Sequence, residues 1–494
     1  MQSHLIRAVA LAGGAAVVLA ACGLKEGVVV LAEEGGGGGG SVGGPADPGS
    51  GGVAGPGTSN GGSGDGVVDP GAGDGVVDPG AGGSGDGVVD PGAGGGGDGG
   101  TGGGDGGSGQ VWTLSGSDRT GVTDDTIHVA IHAPVTGAAP LPSKSFELAG
   151  ETYWLWKTQK LGETVLGRTK VEVEFADDKY DPNTARGICR DLASRNFMVV
   201  GGGGTDQIQA CGALAGVSGF PYFSPGVTEA GLETASNPWY FAGSMTYRQQ
   251  GKLLAAFVKT EFGNAKVAAV ITQTPNFEDA KQGWEEGVVE QGLNYYKTAR
   301  HTKGDTSWWT AVRDDFIANG VEVVYVLSSP VDYIGFAQKY AEETADTPQY
   351  VGVGISMGLN AVLGSGCPQV DGGLFFSPFP ALDKIDELDP DFNKAAAEFG
   401  KPNDDIALAL WSLAKIQDRV FEAYEAAYNS TDLTREDLRA LMETLTVQTN
   451  VFPDINWTQA NHFGGSGVHV LRANCDEGVE QYQTYKSYNF RSTF

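Results

Sequence analysis

A break near residue 111 decides what this chain can fold into. From Gly35 to Gln110, 38 of 76 residues are Gly, and the stretch holds no Lys, Arg, Leu, Ile or aromatic side chain. It buries too little apolar surface to offset the entropy of ordering it. The fold must therefore come from about Val111 to Phe494, which has ordinary composition and the length for a real core. Charge divides at the same place. The whole chain of 494 residues carries −29, with nine Asp and no base in 35–110. Both major parts are acidic. Nucleic acid and anionic membrane surfaces, which are bound through basic patches, are not expected partners.

The first 21 residues read as an export signal. Met1–Arg7 is short and carries Arg7, and Ala8–Ala20 is an apolar run of 13, short for a membrane span. Leu19-Ala20-Ala21-Cys22 resembles the bacterial lipobox, whose Cys is diacylated and becomes the new N-terminus. That implies a membrane anchor through Cys22 and an extracytoplasmic address, where disulfides persist. Cys189, Cys211, Cys367 and Cys475 remain, an even number with three possible pairings.

Residues 22–110 read as a tether. Gly-Asp-Gly-Val-Val-Asp-Pro-Gly-Ala recurs from Gly64, Gly73 and Gly85. The repeat differs from the Gly-Gly-x-Gly-x-Asp of calcium β-rolls, because Asp65 follows Gly64 directly. A Gly-rich chain of this length spans roughly 50 Å r.m.s..

Beyond Gly121 apolar strands alternate with amphipathic helices. Strands are predicted over Thr126–Ala133, Lys170–Ala176, Phe197–Val200, Lys266–Thr272 and Val321–Leu327. Helices are predicted over Phe146–Leu161, Pro182–Arg195 (opened by Asp181), from Asp206, and over Phe277–Glu290, Val331–Glu343 and Ile406–Tyr428. Such alternation means parallel sheets covered by helices, and two runs of it mean two α/β lobes.

Several segments, in order, carry a family resemblance. They are Ile127-His-Val-Ala-Ile-His-Ala-Pro-Val-Thr-Gly137, Asp177-Asp-Lys-Tyr-Asp-Pro-Asn-Thr-Ala185, Val199–Thr205 running without a gap to Pro221–Thr228, and Asn456-Trp-Thr458. Over about 120–490 the chain resembles the periplasmic Leu/Ile/Val-binding protein family, the type I "Venus flytrap" solute receptors of ABC importers. The resemblance implies a two-lobed α/β fold with three crossovers, near Gly243–Thr246, Phe376–Pro380 and Phe452–Trp457. The amino-terminal lobe is then 113–244 with 378–452, and the other is 245–377 with 453–494. Pairing within lobes leaves the hinge free, which favours Cys189 with Cys211 and Cys367 with Cys475.

The strand ending at Val200 delivers Gly201–Gly204 and a helix N-terminus, whose free N–H groups and dipole favour an anion. The resemblance makes Thr205, Gly226 and Thr228 the contacts to a ligand carboxylate. It places Phe277, Ser328 and Ser329 on the opposite wall, with Phe146, the Pro140–Pro142 loop and Tyr247 adding to the site. Arg248 reads as a surface or hinge ion pair. Relatives pair the ligand ammonium with an acid after the strand at Gln349–Gly352. Here Gly352–Gly358 holds no carboxylate, so Asp206, Glu278 and Asp332 are the candidate substitutes. The expected ligand is a small polar molecule: an amino acid, an amide or a short carboxylate.

Gly354-Ile-Ser-Met-Gly358 fits the nucleophile-elbow pattern of a serine hydrolase, with Ser356, Asp371 and His462 or His469 in chain order. The short helix that follows, ending by Gly364, argues against it. His128 and His132 read as core or cleft polar residues rather than metal ligands. The expectation is a monomeric, lipid-anchored solute-binding protein that works with an ABC permease, performs no chemistry, and uses no metal or cofactor. A sensory receptor built on the same clamp is the alternative.

Overall fold

Two separate sheets form from the alternation. The structure, a computed structural model, describes residues 112–137, 143–225, 229–302, 304–476, 478 and 480–489. The export signal, Cys22, the tether, the Pro140–Pro142 loop, Gly226 and Thr228 lie outside the described residues.

The first sheet contains β1 (Thr126–Ala133), β2 (Lys170–Asp177), β3 (Met198–Gly201), β4 (Tyr222–Ser224) and β5 (Tyr240–Ala242). Its order is β2-β1-β3-β4-β5, and every pairing is parallel. Between these strands run α1 (Ser143–Ala149), α2 (Thr152–Leu155), α3 (Pro182–Ala193) and α4 (Thr205–Ser218). β1 is buried on both faces, as a strand between helical layers must be. Asp181 caps α3 through the Thr184 amide, with Pro182 in the first turn.

The chain then enters α5 (Tyr247–Phe262), β6 (Lys266–Thr272), α6 (Pro275–Gln291), β7 (Asn294–His301), α7 (Trp308–Ala318), β8 (Val323–Leu327), α8 (Pro330–Glu343), β9 (Gln349–Gly352), α9 (Asn360–Gly366) and β10 (Leu374–Ser377). It returns through α10 (Ile385–Leu388), α11 (Asp391–Phe399), α12 (Asp405–Tyr428) and α13 (Arg435–Met442). A small pair, β11 (Thr446–Val447) and β12 (Ile455–Asn456), precedes the final hairpin of β13 (Gly467–Asn474) and β14 (Gln481–Asn489). The second sheet runs β14-β13-β10-β9-β8-β6-β7. Its core is parallel, and β13 and β14 add to one side antiparallel.

α12 joins the core of the first sheet. Trp411, Leu413, Val420 and Phe421 are buried with Trp154, Phe197 and Val200 in one apolar cluster. The passages between lobes are tightly packed. Trp457 is fully buried, donates through Nε1 to Ala242 O at 2.8 Å, and stands edge-on to Phe223 and Phe241. A Cβ on Gly465 would lie 2.4 Å from Ser244 Cα, so only Gly lets these two segments between the lobes touch. Disulfides join Cys189 to Cys211 and Cys367 to Cys475.

The predicted helix over Phe146–Leu161 is broken. α1 stops before Gly150, where a Cβ would lie 2.9 Å from Ile131 Cδ1, and α2 runs on into a π-helical turn over Trp156–Lys160. That wider turn carries Lys157 inward, where its Nζ meets Asp418 Oδ2 at 2.5 Å. No described helix is long and apolar enough to cross a membrane.

Candidate functional site

The first wall is built where β3 becomes α4. Gly204 occupies a positive φ of 78° at the N-cap and supplies no side-chain cap, so the first-turn amides of α4 meet no capping side chain. Gly202 admits no side chain, since a Cβ there would lie 2.8 Å from Phe146 Cε1 and 3.1 Å from Ala133 Cβ. Phe146 is 3% exposed and stacks on Phe175, which puts it beneath the Gly-rich turn as support. Below that turn, His132 is fully buried, with Nδ1 2.8 Å from Asp178 Oδ2 and Nε2 2.7 Å from the Tyr222 hydroxyl. Nδ1–H donating to Asp178 and Tyr222 O–H donating to Nε2 satisfies all three groups. The neighbouring Pro-Val-Thr-Gly turn is held by Asp177, which accepts from the amides of Val135, Thr136 and Lys179 and from the Thr136 hydroxyl. Burial works to raise the Asp177 carboxyl. The bonds from Thr136, Lys179 and Val135 outweigh it and hold the group below the usual carboxylate range.

The second lobe closes on this wall. Thr205, half-buried at the start of α4, lies near the Tyr247 phenol, and burial pushes that phenol up to about 12. The Tyr247 ring meets Phe277 edge-on at 5.8 Å, and its hydroxyl lies 3.1 Å from where a Cβ on Gly354 would stand. Asn276 Nδ2 donates to Asp206 Oδ1 at 2.5 Å, and the Ala230 amide donates to Asp279 Oδ2 at 3.1 Å. Asn360 N donates to Asp405 Oδ2 at 2.6 Å. Thr205, Tyr247, Phe277 and Asp206 are therefore brought together, with the lobes in contact.

Ser328 and Ser329 stand at the end of β8, inside a polar cluster. Ser328 Oγ lies 2.8 Å from Thr272 Oγ1, 3.0 Å from His301 Nε2 and 2.8 Å from Asp332 Oδ2. Ser329 caps α8 and donates to the same carboxylate oxygen. His301 stacks on Trp308 at 4.3 Å, and burial pushes its imidazole below the usual value. Both serines are thus engaged with Asp332. Arg248 pairs with Glu286 on the surface, and Glu278 with Arg300 and Lys281.

Asp371, His462 and His469 are each engaged apart from one another. The Asp371 carboxylate accepts from the Cys475 amide, His462 Nδ1 faces Tyr240 O, and His469 lies between Ser487 and Val451 O. The segment after Gly354 is a 3₁₀ turn, not the start of a long helix. His132 lies within 4.8 Å of the Cys189 and Cys211 sulfurs, but those are bonded to each other and hold no thiolate for a metal.

Sequence reasoning missed Gln207, Asn276 and His301. Asn276 had one signal, its place in the first turn of a helix begun by Thr274 and Pro275, at the mouth of a parallel sheet.

A family model described as periplasmic binding protein matches residues 126–478. The chain belongs to that family. Its fold is shared with a branched-chain amino acid ABC transporter protein from Thermus thermophilus with bound valine. There the TM-score is 0.61 at 15% identity, covering 75% of this chain and 99% of that one. A solute-binding protein from Rhodopseudomonas palustris BisB5, in complex with 3,4-dihydroxybenzoic acid, matches at TM-score 0.60 and 18% identity, covering 74% and 98%. A fatty acid ABC transporter substrate-binding protein from Thermomonospora curvata matches at 0.58 and 18%, covering 77% and 97%. A search of curated proteins finds no match. The two-lobed type I fold of this chain is thus shared with these solved structures.

Proposed function

We propose that this chain is the extracytoplasmic solute receptor of an ABC importer, anchored to the membrane by lipid on Cys22 and held off it by the 22–110 tether. A small polar ligand (amino acid, amide or short carboxylate) docks first on the amino-terminal lobe, through Thr205, Gly226, Thr228 and the α4 amides. Hinge closure between the lobes, 113–244 with 378–452 and 245–377 with 453–494, then brings in Tyr247, Phe277 and the Ser328–Ser329 wall and excludes water. The closed form is what a permease recognises. One observation carries this reading: at the anion-ready start of α4, Asp206 is met from the other lobe by Asn276, with Tyr247 near Thr205. Walls that meet at the mouth of two parallel sheets are where such folds take ligands.

The test is a thermal-shift screen of the full chain against amino acids, amides and short carboxylic acids. A ligand at 100 times its Kd adds about 2.7 kcal/mol and raises the melting point by degrees. No shift with any member, nor with a broad set of small metabolites, sinks the proposal.

A further inference from the structure

Two joints between the halves of the molecule, away from the start of α4, end on carboxylates, and each donor there is a neutral backbone amide. Asp279 takes the Ala230 amide at 3.1 Å, and Asp405 takes the Asn360 amide at 2.6 Å. A carboxylate drawn out of water to such a joint loses hydration that one neutral donor only partly returns.

Asp405 stands where the two cores meet. It opens α12, whose Ile406, Leu410 and Trp411 lie in the core of the first sheet. Asn360 opens α9, whose Val362 and Leu363 lie in the core of the second sheet with Val324 and Phe375. Asn360 is itself fixed, because its Oδ1 accepts from the Tyr482 amide on β14. The titratable groups facing the Asp405 carboxyl are Asp404 on its own helix and the Tyr482 phenol on β14, and neither offsets its charge. Asp404 accepts from Ser145 on α1 and from the Ala407 amide. Lys401, the nearest base along the chain, is paired with Glu151. Burial raises the Asp405 carboxyl to about 6 against an ordinary 3.8, and Asp404 adds to it despite the Asn360 and Ile406 amides. The other joint runs the same way. Burial raises Glu229, next to Ala230; Asp279 and Glu233 add to that, and Arg248, already paired with Glu286, opposes them. Opening reverses the balance. Once α9 parts from the start of α12, the Asp405 carboxylate meets water and the amides of a helix N-terminus, both of which favour the ionised form.

We propose that closure of this clamp is coupled to proton uptake: Asp405, with Glu229 and Asp279 at the second joint in support, binds a proton as the halves come together, so mild acid favours the closed form and neutral pH the open one. This rests on the solute-receptor reading above. A carboxyl at about 6 when closed and 3.8 when open multiplies the closed-to-open ratio by about tenfold between pH 7.5 and pH 5. Affinity for any solute that binds the closed form follows the same slope.

The experiment needs no ligand. Val217 on α4 and Val289 on α6 are 89% and 80% exposed, one on each half. Dyes on Val217→Cys and Val289→Cys, in the full chain with Cys22→Ser and its disulfides intact, report the two forms by single-molecule energy transfer. The closed population rises about tenfold from pH 7.5 to pH 5. Asp405→Asn, neutral at every pH, raises the closed population at pH 7.5 and flattens its pH response, which a merely structural residue does not do. Asp404→Asn keeps a good cap on α12, relieves the like charge, and moves the response to lower pH. It is the second variant should Asp405→Asn fold poorly. A transfer efficiency that holds still from pH 7.5 to pH 5 in the parent and in both variants overturns the inference. If it then moves with a solute from the thermal-shift panel, the solute receptor stands; if no solute moves it either, the clamp falls as well.

Discussion

Thr205 joins two requirements that a single residue rarely meets. It opens α4 with no side-chain cap competing for the first-turn amides, and it lies near Tyr247 of the other lobe. Removing the hydroxyl should therefore change binding far more than folding. Thr205→Val is expected to weaken ligand binding by about 1.5–3 kcal/mol, the range for a hydrogen bond to a charged group. The melting point of the free protein should move little, because Thr205 is half-buried and Val keeps its shape. Titration and thermal melts on the same preparation check this; equal losses in both would make Thr205 a structural residue. Thr205 was legible because strand, Gly run and helix start are written consecutively. Gln207 and Asn276 were not, since no local pattern says which side chains of one lobe face the other. Ser328 was legible as a strand end but not as a partner of His301, 27 residues away in the chain.

Elements followed the sequence where one periodicity ran without interruption. β1 and β6 span their predicted residues, and α12 begins one residue early, at Asp405, capped by Asp404. The α1–α2 break was hidden because Gly150 is set by an approach to Ile131 on β1, a contact across layers. The strap before β1 was hidden for the same reason. Trp112 donates its amide to Ala427 O and stands edge-on to Tyr428. The Ser115 and Gly116 amides and the Ser115 hydroxyl all donate to Asp437 on α13. Asp437 also accepts from Thr434 at 2.7 Å and is 2% exposed. Burial works to raise its carboxyl, but Thr434, Gly116 and Ser115 outweigh it and hold the group low. Asp437→Ala leaves those donors facing a void, and is expected to cost about 2–4 kcal/mol. Urea unfolding gives the number. A loss under about 0.5 kcal/mol would mean the strap is peripheral to the fold.

For the whole molecule, acid stability is set by opposed buried groups. His462 is fully buried and stacked on Phe241 at 4.1 Å where the chain passes between lobes, and burial holds its imidazole at about 4 against an ordinary 6.5. Between those values the unfolded chain takes up a proton that the folded chain refuses. Stability from this group is whole above pH 6.5 and falls as pH drops toward 4, by roughly 3 kcal/mol at 1.36 kcal/mol per unit. Glu443 Oε1, 3.6 Å from Nε2, is already paired with Arg439. Burial lowers His301 and His469 as well, so they act in the same direction. Asp405 runs the other way. Burial, with Asp404 beside it, raises its carboxyl to about 6 despite the Asn360 amide. The folded chain then takes up its proton first, and stability from Asp405 rises as pH falls from 6 toward 3.8, again by roughly 3 kcal/mol. The two nearly cancel between pH 6 and 4, leaving an acid loss from the other histidines and, toward pH 4, from carboxyls held low such as Asp177 and Asp437. Single substitutions separate them. Across urea unfolding at pH 7, 6, 5 and 4, His462→Gln should gain on the parent protein as pH falls, and Asp405→Asn should lose on it. Curves for both variants that stay parallel to the parent would show that neither group changes its protonation between the folded and unfolded chain, and that the acid response is carried elsewhere on this strongly acidic surface.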